Sequence, residues 1–333
     1  MNRRDTVLAL LALGAGPLAA RAEQTEKTYR VGYIVTTTPI GEMAGPDPVH
    51  PPTRGLLHEL RALGYVEGRN LIFERRSGEG HPERFPGIVA ELVRTKIDVI
   101  VLGGSSVIVR RAKEGAGNTP IVMLGVAQPM ELGFIASLAR PGGNVTGLSY
   151  DVDPETEAKR LQLLKEAVPT ITRVAYLATK DDWSQPIGRA IRRAASSMAI
   201  ELLHAEHVPS DLDGTLTALA RMRPDAVIAA VSGPAYAQRQ QIVEFALKAR
   251  LPLSFAFQEA AEIGALMTYG ISLFDMARRA AHYVDKILKG ANPGDLPIEQ
   301  PTDIKLAVNL RTARAIGITI PRPILLRADR LIQ

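Results

Sequence analysis

From Tyr29 onward, short runs of aliphatic and β-branched residues alternate with longer segments in which apolar residues recur every three or four positions. The first kind reads as buried strands and the second as amphipathic helices. Their alternation is the signature of an α/β fold built on parallel sheets. Strands are expected at Tyr29–Val35, Leu71–Glu74, Asp98–Leu102, Pro120–Val126 and Val145–Ser149. Between them, helices are expected at Thr53–Leu63, at Arg84–Thr95, and from the Gly103-Gly104-Ser105-Ser106 turn to Ala116, with a short helix at Met130–Ala139. In the first of these Leu56, Leu57, Leu60 and Leu63 share a face, Thr53 stands where a cap is needed and Gly64 where the helix must stop.

A second series follows. Helices are predicted at Glu155–Ala167, Gln185–Met198, Leu212–Arg221 and Ala235–Ala249, and strands at Arg173–Ala178, Ile200–His207, Ala226–Val231 and Leu251–Phe255. The tail adds a strand at Ala265–Tyr269 and an amphipathic helix at Leu273–Lys289. A proline-punctuated connector over Asn292–Pro301 then leads to a last strand and helix over Ile304–Ile316. Two units of ordinary domain size result. The first spans 29–147 plus about 266–292, and the second 148–265 plus about 298–333. Several crossing segments would join them as a hinged clamp that closes on a ligand.

The first residues carry a different pattern. Arg3-Arg4 precede an apolar run from Val7 to Ala20, and Ala20-Arg21-Ala22 offers small residues at a cleavage site. Residues 1–22 read as a signal peptide cut near Ala22, by the twin-arginine or the general export route. The run is shorter than the ~20 residues a membrane-spanning helix needs. The predicted location is therefore periplasmic and soluble.

Composition narrows the chemistry. The chain has 333 residues, a formal net charge of +5 and no cysteine. Disulfides, thiolate metal sites, cysteine nucleophiles and a lipidated N-terminal cysteine are thus excluded. Both signs of charge are interspersed, without the dense basic stripe of a nucleic-acid partner. No dinucleotide-binding or P-loop glycine pattern occurs. Gly147-Leu148-Ser149-Tyr150-Asp151 lacks the closing glycine of a nucleophile elbow. His204 and His207 fall on opposite faces of a strand, His58 and His282 on helices, and His50 and His81 in loops where exposure is the default. No catalytic residue, metal site or cofactor is predicted.

Binding chemistry remains, at the strand ends where open α/β sheets place ligands. Ser105 and Ser106 open a helix, either as caps or as donors beside N–H groups suited to an anion. Thr37 and Thr38 stand at the start of a 17-residue loop rich in proline. Gln128 follows the fourth strand. Asp182 and Trp183, the one tryptophan, follow a strand of the second unit, where a carboxylate can hold an ammonium group and an indole can stack on a flat or cationic ligand. Ser232 and Phe257 lie in further strand-end clusters, and Tyr150 and Tyr269 on the crossing segments.

Several stretches, in this order, resemble one family: Leu60–Asn70 (LRALGYVEGRN), Ile121–Pro129 (IVMLGVAQP), Leu138–Leu148 (LARPGGNVTGL), Lys159–Pro169 (KRLQLLKEAVP), Thr268-Tyr269-Gly270, Tyr283–Gly290 (YVDKILKG), Leu296–Thr302 (LPIEQPT) and Asn309–Ile320 (NLRTARAIGITI). The chain resembles the type I periplasmic binding proteins of ABC transporters, in the tryptophan-binding (TrpX-like) subgroup of substrate-binding proteins. The resemblance implies two Rossmann-like lobes joined by a multi-strand hinge. It further implies a small organic ligand (amino-acid-like, nucleoside or sugar), a monomer, and delivery to an inner-membrane permease with its ATPase. Gln128 stands where the family often has Asp, and Ala178–Trp183 replaces a common Asn-Pro loop, so ligand identity does not carry over. A ligand sensor without transport, or an exported α/β enzyme, are the competing readings.

Overall fold

Residues 27–103, 106–126, 128–150, 153–300 and 303–333 are described by the computed structural model of the chain. The expected signal peptide and Ser105 lie outside them.

Five strands, β1 (Tyr29–Val35), β2 (Leu71–Ser77), β3 (Val99–Gly103), β4 (Ile121–Val126) and β5 (Val145–Ser149), form a parallel sheet in the order β2-β1-β3-β4-β5. All six residues of β4 and all five of β5 are buried, as expected for a parallel sheet covered on both faces. The period of two sorts the side chains. Ile34, Ile100, Leu102 and Met123 pack with helices α3 (Phe85–Arg94) and α4 (Ser106–Gly115). Tyr33, Val101, Val122 and Leu124 pack on the opposite side with α2 (Pro51–Ala62). A short α1 (Ile40–Met43) sits within the long loop after β1.

The second sheet has seven strands, β6 (Arg173–Ala178), β7 (Glu201–Glu206), β8 (Ala226–Ala229), β9 (Leu253–Phe257), β10 (Met267–Ile271), β11 (Lys305–Asn309) and β12 (Arg330–Ile332). Their order is β12-β11-β10-β9-β8-β6-β7. The five from β7 to β10 are parallel, while β11 runs antiparallel to β10 and carries β12 beside it. Helices α5 (Pro154–Ala167), α6 (Lys180–Ser184), α7 (Pro186–Ser197), α8 (Leu212–Met222), α9 (Gly233–Ala237), α10 (Arg239–Lys248) and α11 (Glu259–Glu262) belong to this lobe. After them come α12 (Leu273–Leu288), α13 (Leu310–Ile316) and α14 (Arg322–Arg327).

Four expectations change. The segment from 266 to 271 does not join the first lobe: β10 is hydrogen-bonded between β9 and β11, and the chain crosses only after Ile271. Met130–Ala139 forms turns, because Gly133 adopts a left-handed φ of +71° and interrupts the helix. The helix expected over Ala235–Ala249 is two, α9 and α10, meeting at Gln238. Lys180–Ser184, to which the sequence pattern assigns no helix, is a helical turn closed by a capping box between Thr179 and Asp182.

Three crossings join the lobes. The first leaves β5 through Tyr150 and enters α5 at Asp153, whose carboxylate accepts the Glu155 N–H at 2.9 Å. In the second, β10 runs into α12, which returns to pack along α2. A Cβ at Gly55 of α2 would collide with the Phe274 carbonyl oxygen, so glycine sets how close the two helices lie. The third is strapped to β5 before it leaves. Ser149 N–H donates to Glu299 O at 2.9 Å, and Glu299 N–H to Gly147 O at 3.0 Å.

Candidate functional site

The groups between the lobes nearly all follow the C-terminal ends of strands: Thr36–Thr38 after β1, Gly103 at the end of β3, Tyr150 after β5, Thr179 after β6, Val231 after β8 and Phe257 at the end of β9. They enclose two adjoining chambers that share Tyr150 and Gly233.

The inner chamber is small, about 50 Å³, and mainly apolar. The first lobe contributes Tyr33, Val35, Thr36, Thr37, Thr38, His50 and Leu124, and the second Tyr236, Ala237 and Phe257. Its aromatic wall is continuous. Tyr236 packs edge-on against Phe257 at 5.0 Å between centroids, and His50 against Tyr236 at 6.4 Å. Gly125, with φ at +70°, leaves space for the Tyr150 ring; a Cβ there would press on Tyr150 Cδ1 at 3.0 Å. Tyr236 is 7% exposed and its Oη has no hydrogen-bond partner. Burial, and behind it the Glu259 carboxylate, push its phenol far up, so it stays protonated.

His50 is buried rather than exposed, because α2 starts immediately after it and holds it against the second lobe. Its Nδ1 lies 2.7 Å from Thr53 Oγ1. Burial, reinforced by the nearby Arg239 charge, pushes its imidazole down to about 3. The inner chamber therefore carries no formal charge at neutral pH.

The outer chamber is larger, about 840 Å³, a volume that admits a small organic molecule. Ser106, Gln128, Glu131 and Leu132 line it from the first lobe. Asp153, Thr179, Asp181, Asp182, Gln185 and Ser232 line it from the second. Gln128 holds a left-handed φ of +51°, rare outside glycine and asparagine, and strained backbone of this kind clusters at ligand sites. Ser232 Oγ caps α9 by accepting the Ala235 N–H at 3.3 Å. Asp182 accepts from Thr179 Oγ1 at 2.8 Å, and burial pushes its carboxyl up.

Of the residues singled out in the sequence, Thr37, Thr38, Tyr150 and Phe257 meet in the inner chamber. Ser106, Gln128, Tyr150, Asp182 and Ser232 meet in the outer one. Two do not join them. Trp183 stacks on His204, centroids 4.4 Å apart and planes 8° apart, with the Arg192 guanidinium 4.5 Å from its ring centre. The helical turn of α6 carries it onto the side of the sheet where β7 lies, and its face is already occupied. Tyr269 lines a separate cavity of about 10 Å³ at the hinge, beside the buried ion pair Glu157–Arg160 at 2.7 Å. Tyr33, His50, Asp153 and Thr179 escaped the sequence reading as site residues, while Tyr236 closes the strand-end cluster that begins at Ser232. Asp153 and Thr179 had a legible signal, a capping residue directly after a strand or crossing; His50 had none. Among the described residues no group of three His, Asp or Glu side chains is placed to hold a metal ion, and no helix is long and apolar enough to cross a membrane.

Two α/β lobes joined by three crossings, with a cleft at their strand ends, define a two-lobed solute-binding protein. The profile of the ABC transporter substrate binding protein family matches residues 47–332, and the chain belongs to that family. It is similar to a tyrosine-binding protein of Clostridioides difficile, 22% identical over 267 residues that cover 80% of this chain and 76% of that protein. A conserved domain protein from Vibrio cholerae superposes with a TM-score of 0.76 at 25% identity, covering 92% of this chain and all of that one. An ABC domain from Streptococcus pneumonia in complex with L-Trp superposes at 0.75 with 19% identity and the same coverage.

Proposed function

We propose that the chain captures a small organic solute between its lobes, closes on it by bending at the three crossings, and hands it to an inner-membrane permease driven by a separate ATPase. The observation that carries this reading is the cleft of about 840 Å³ lined by polar groups from both lobes, with an apolar chamber behind it. Closure follows only if the ligand touches both lobes at once, because a ligand shifts an equilibrium by its differential affinity for the two states. Glu131 and Gln128 on one side and Thr179 and Asp181 on the other supply such contacts. The similarity to a tyrosine-binding protein and to a protein holding L-Trp supports an amino-acid-like or comparably sized ligand. The protein acts as a monomer in the periplasm after removal of residues 1–22, and binds without catalysing a reaction.

Calorimetry and thermal shift on protein refolded free of trapped ligand test the proposal, with amino acids, amines, nucleosides and sugars as probes. Saturable binding with a raised Tm is expected for at least one class. No stabilisation by any of them would overturn it.

A further inference from the structure

Building on the capture reading above, we propose that the solute is a cation: an amine whose apolar end points toward the inner chamber while its ammonium group stays in the outer one. Glu131, Asp153, Asp181 and Asp182 line the outer chamber from both lobes, and none of its described lining residues is Lys or Arg. Two of the four carboxylates have local work, Asp153 as a helix cap and Asp182 in its capping box. Asp181 and Glu131 are exposed, and among the described residues their side chains make no hydrogen bond or ion pair. Of the basic groups on the neighbouring elements, Lys180 pairs with Glu206 at 3.3 Å and Arg193 with Glu155 at 3.2 Å, while Arg189 and Arg192 bond the Ser184 and Trp183 carbonyls at 2.7 and 2.6 Å and keep their charge behind the chamber wall. The side chains that a ligand would touch are therefore acidic without a basic counterpart, which favours a cation over an anion at the chamber wall.

The inner chamber gives the second, independent observation. Tyr236 Oη is buried, protonated and without an acceptor. A buried hydroxyl without a partner is costly, so the ligand's inward end should bring a hydrogen-bond acceptor such as a hydroxyl, ether or carbonyl oxygen. The charged end cannot go there. Arg239 lies 4.3 Å from the Tyr236 ring centre and disfavours a second positive charge, as it does on His50. The two chambers thus fix the ligand's direction as well as its charge.

Isothermal titration of the refolded chain against matched triples tests this: an amine, its amino acid and its carboxylic acid on 4-hydroxyphenyl, phenyl and branched-alkyl ends. For the hydroxyphenyl set these are tyramine, tyrosine and 3-(4-hydroxyphenyl)propanoate. The amine should bind at least tenfold tighter than the acid and no weaker than the amino acid. Asp181→Asn combined with Glu131→Gln, at two exposed positions, should lower amine affinity tenfold or more while leaving Tm unchanged. An amino acid binding tenfold tighter than its amine would overturn the proposal and show carboxylate recognition, for instance at the start of α4. Unchanged amine affinity in the double variant would also overturn it. If only sugars or nucleosides bind, the cation proposal fails while solute capture stands; if nothing binds, both fail.

Discussion

Glu259, carried by the second lobe, accepts the backbone N–H of Phe274 at 2.9 Å in the first turn of α12, the helix that covers the first lobe. The same oxygen accepts from Ser272 Oγ at 3.2 Å. A carboxylate at a helix N-terminus meets otherwise unsatisfied N–H groups and a favourable dipole. Here it also ties one lobe to the other. Glu259→Ala should cost roughly 1–3 kcal/mol, the penalty of leaving buried donors unpaired. Glu259→Gln, which keeps an acceptor, should cost less. Chemical denaturation of the two variants checks the order.

Gly55→Ala tests the helix contact. On an exposed helix face this exchange stabilises by about 1 kcal/mol. At Gly55 the added methyl meets the Phe274 carbonyl, and overpacking costs typically 1–3 kcal/mol. The clash should win, so thermal unfolding should show a lower Tm.

His50 sets a pH dependence. Its folded-state value of about 3 lies below the unfolded 6.5, so between these limits the unfolded chain binds the extra proton. Its contribution is fully present above pH 6.5 and is lost as the pH falls toward 3, with a slope of at most about 1.4 kcal/mol per pH unit. His50→Gln should flatten the stability curve in that window relative to the parent. Denaturation at a series of pH values reads the difference directly, because the raised carboxyls of Glu157 and Glu259 act equally in both proteins.

Tyr236→Phe separates stability from binding. Removing a buried hydroxyl that has no partner should leave the ligand-free protein as stable as before, or slightly more so. If the hydroxyl donates to a ligand, affinity for that ligand should fall by about 0.5–1.5 kcal/mol, the net worth of a neutral hydrogen bond. Thermal unfolding and titration on one preparation measure both.

Arg160→Met leaves Glu157 buried without its counter-ion, since both side chains are 1% exposed. Breaking such a pair costs about 3–5 kcal/mol. Adding Glu157→Gln should recover part of the loss, and comparison of the single and double variants in urea tests this.

The strands were legible because their composition is extreme: IVMLGV at β4 has no other plausible reading than a buried strand. The chamber residues were legible where strand ends carry hydroxyl, amide, carboxylate or aromatic groups, as at Thr37, Gln128, Asp182 and Phe257. Trp183 misled because a single helical turn decides which way its indole goes, and a four-residue capping box is a weak signal beside a lone tryptophan. His50 was missed because its burial depends on Tyr236, 186 positions further along the chain, and no local pattern encodes that meeting. Strand β10 was placed in the wrong lobe for a similar reason. An apolar run says that a strand is buried, not which sheet receives it.

Because α12 belongs to the first lobe while β10 and β11 on either side of it belong to the second, neither lobe is one continuous piece of chain. A break after Tyr150 would keep all five strands of the first sheet yet strip away the helix that covers Gly55 and Leu56. The lobes are therefore not separable modules. They have to be made and inherited together, and a graft that moves one binding half into another scaffold must carry two segments rather than one.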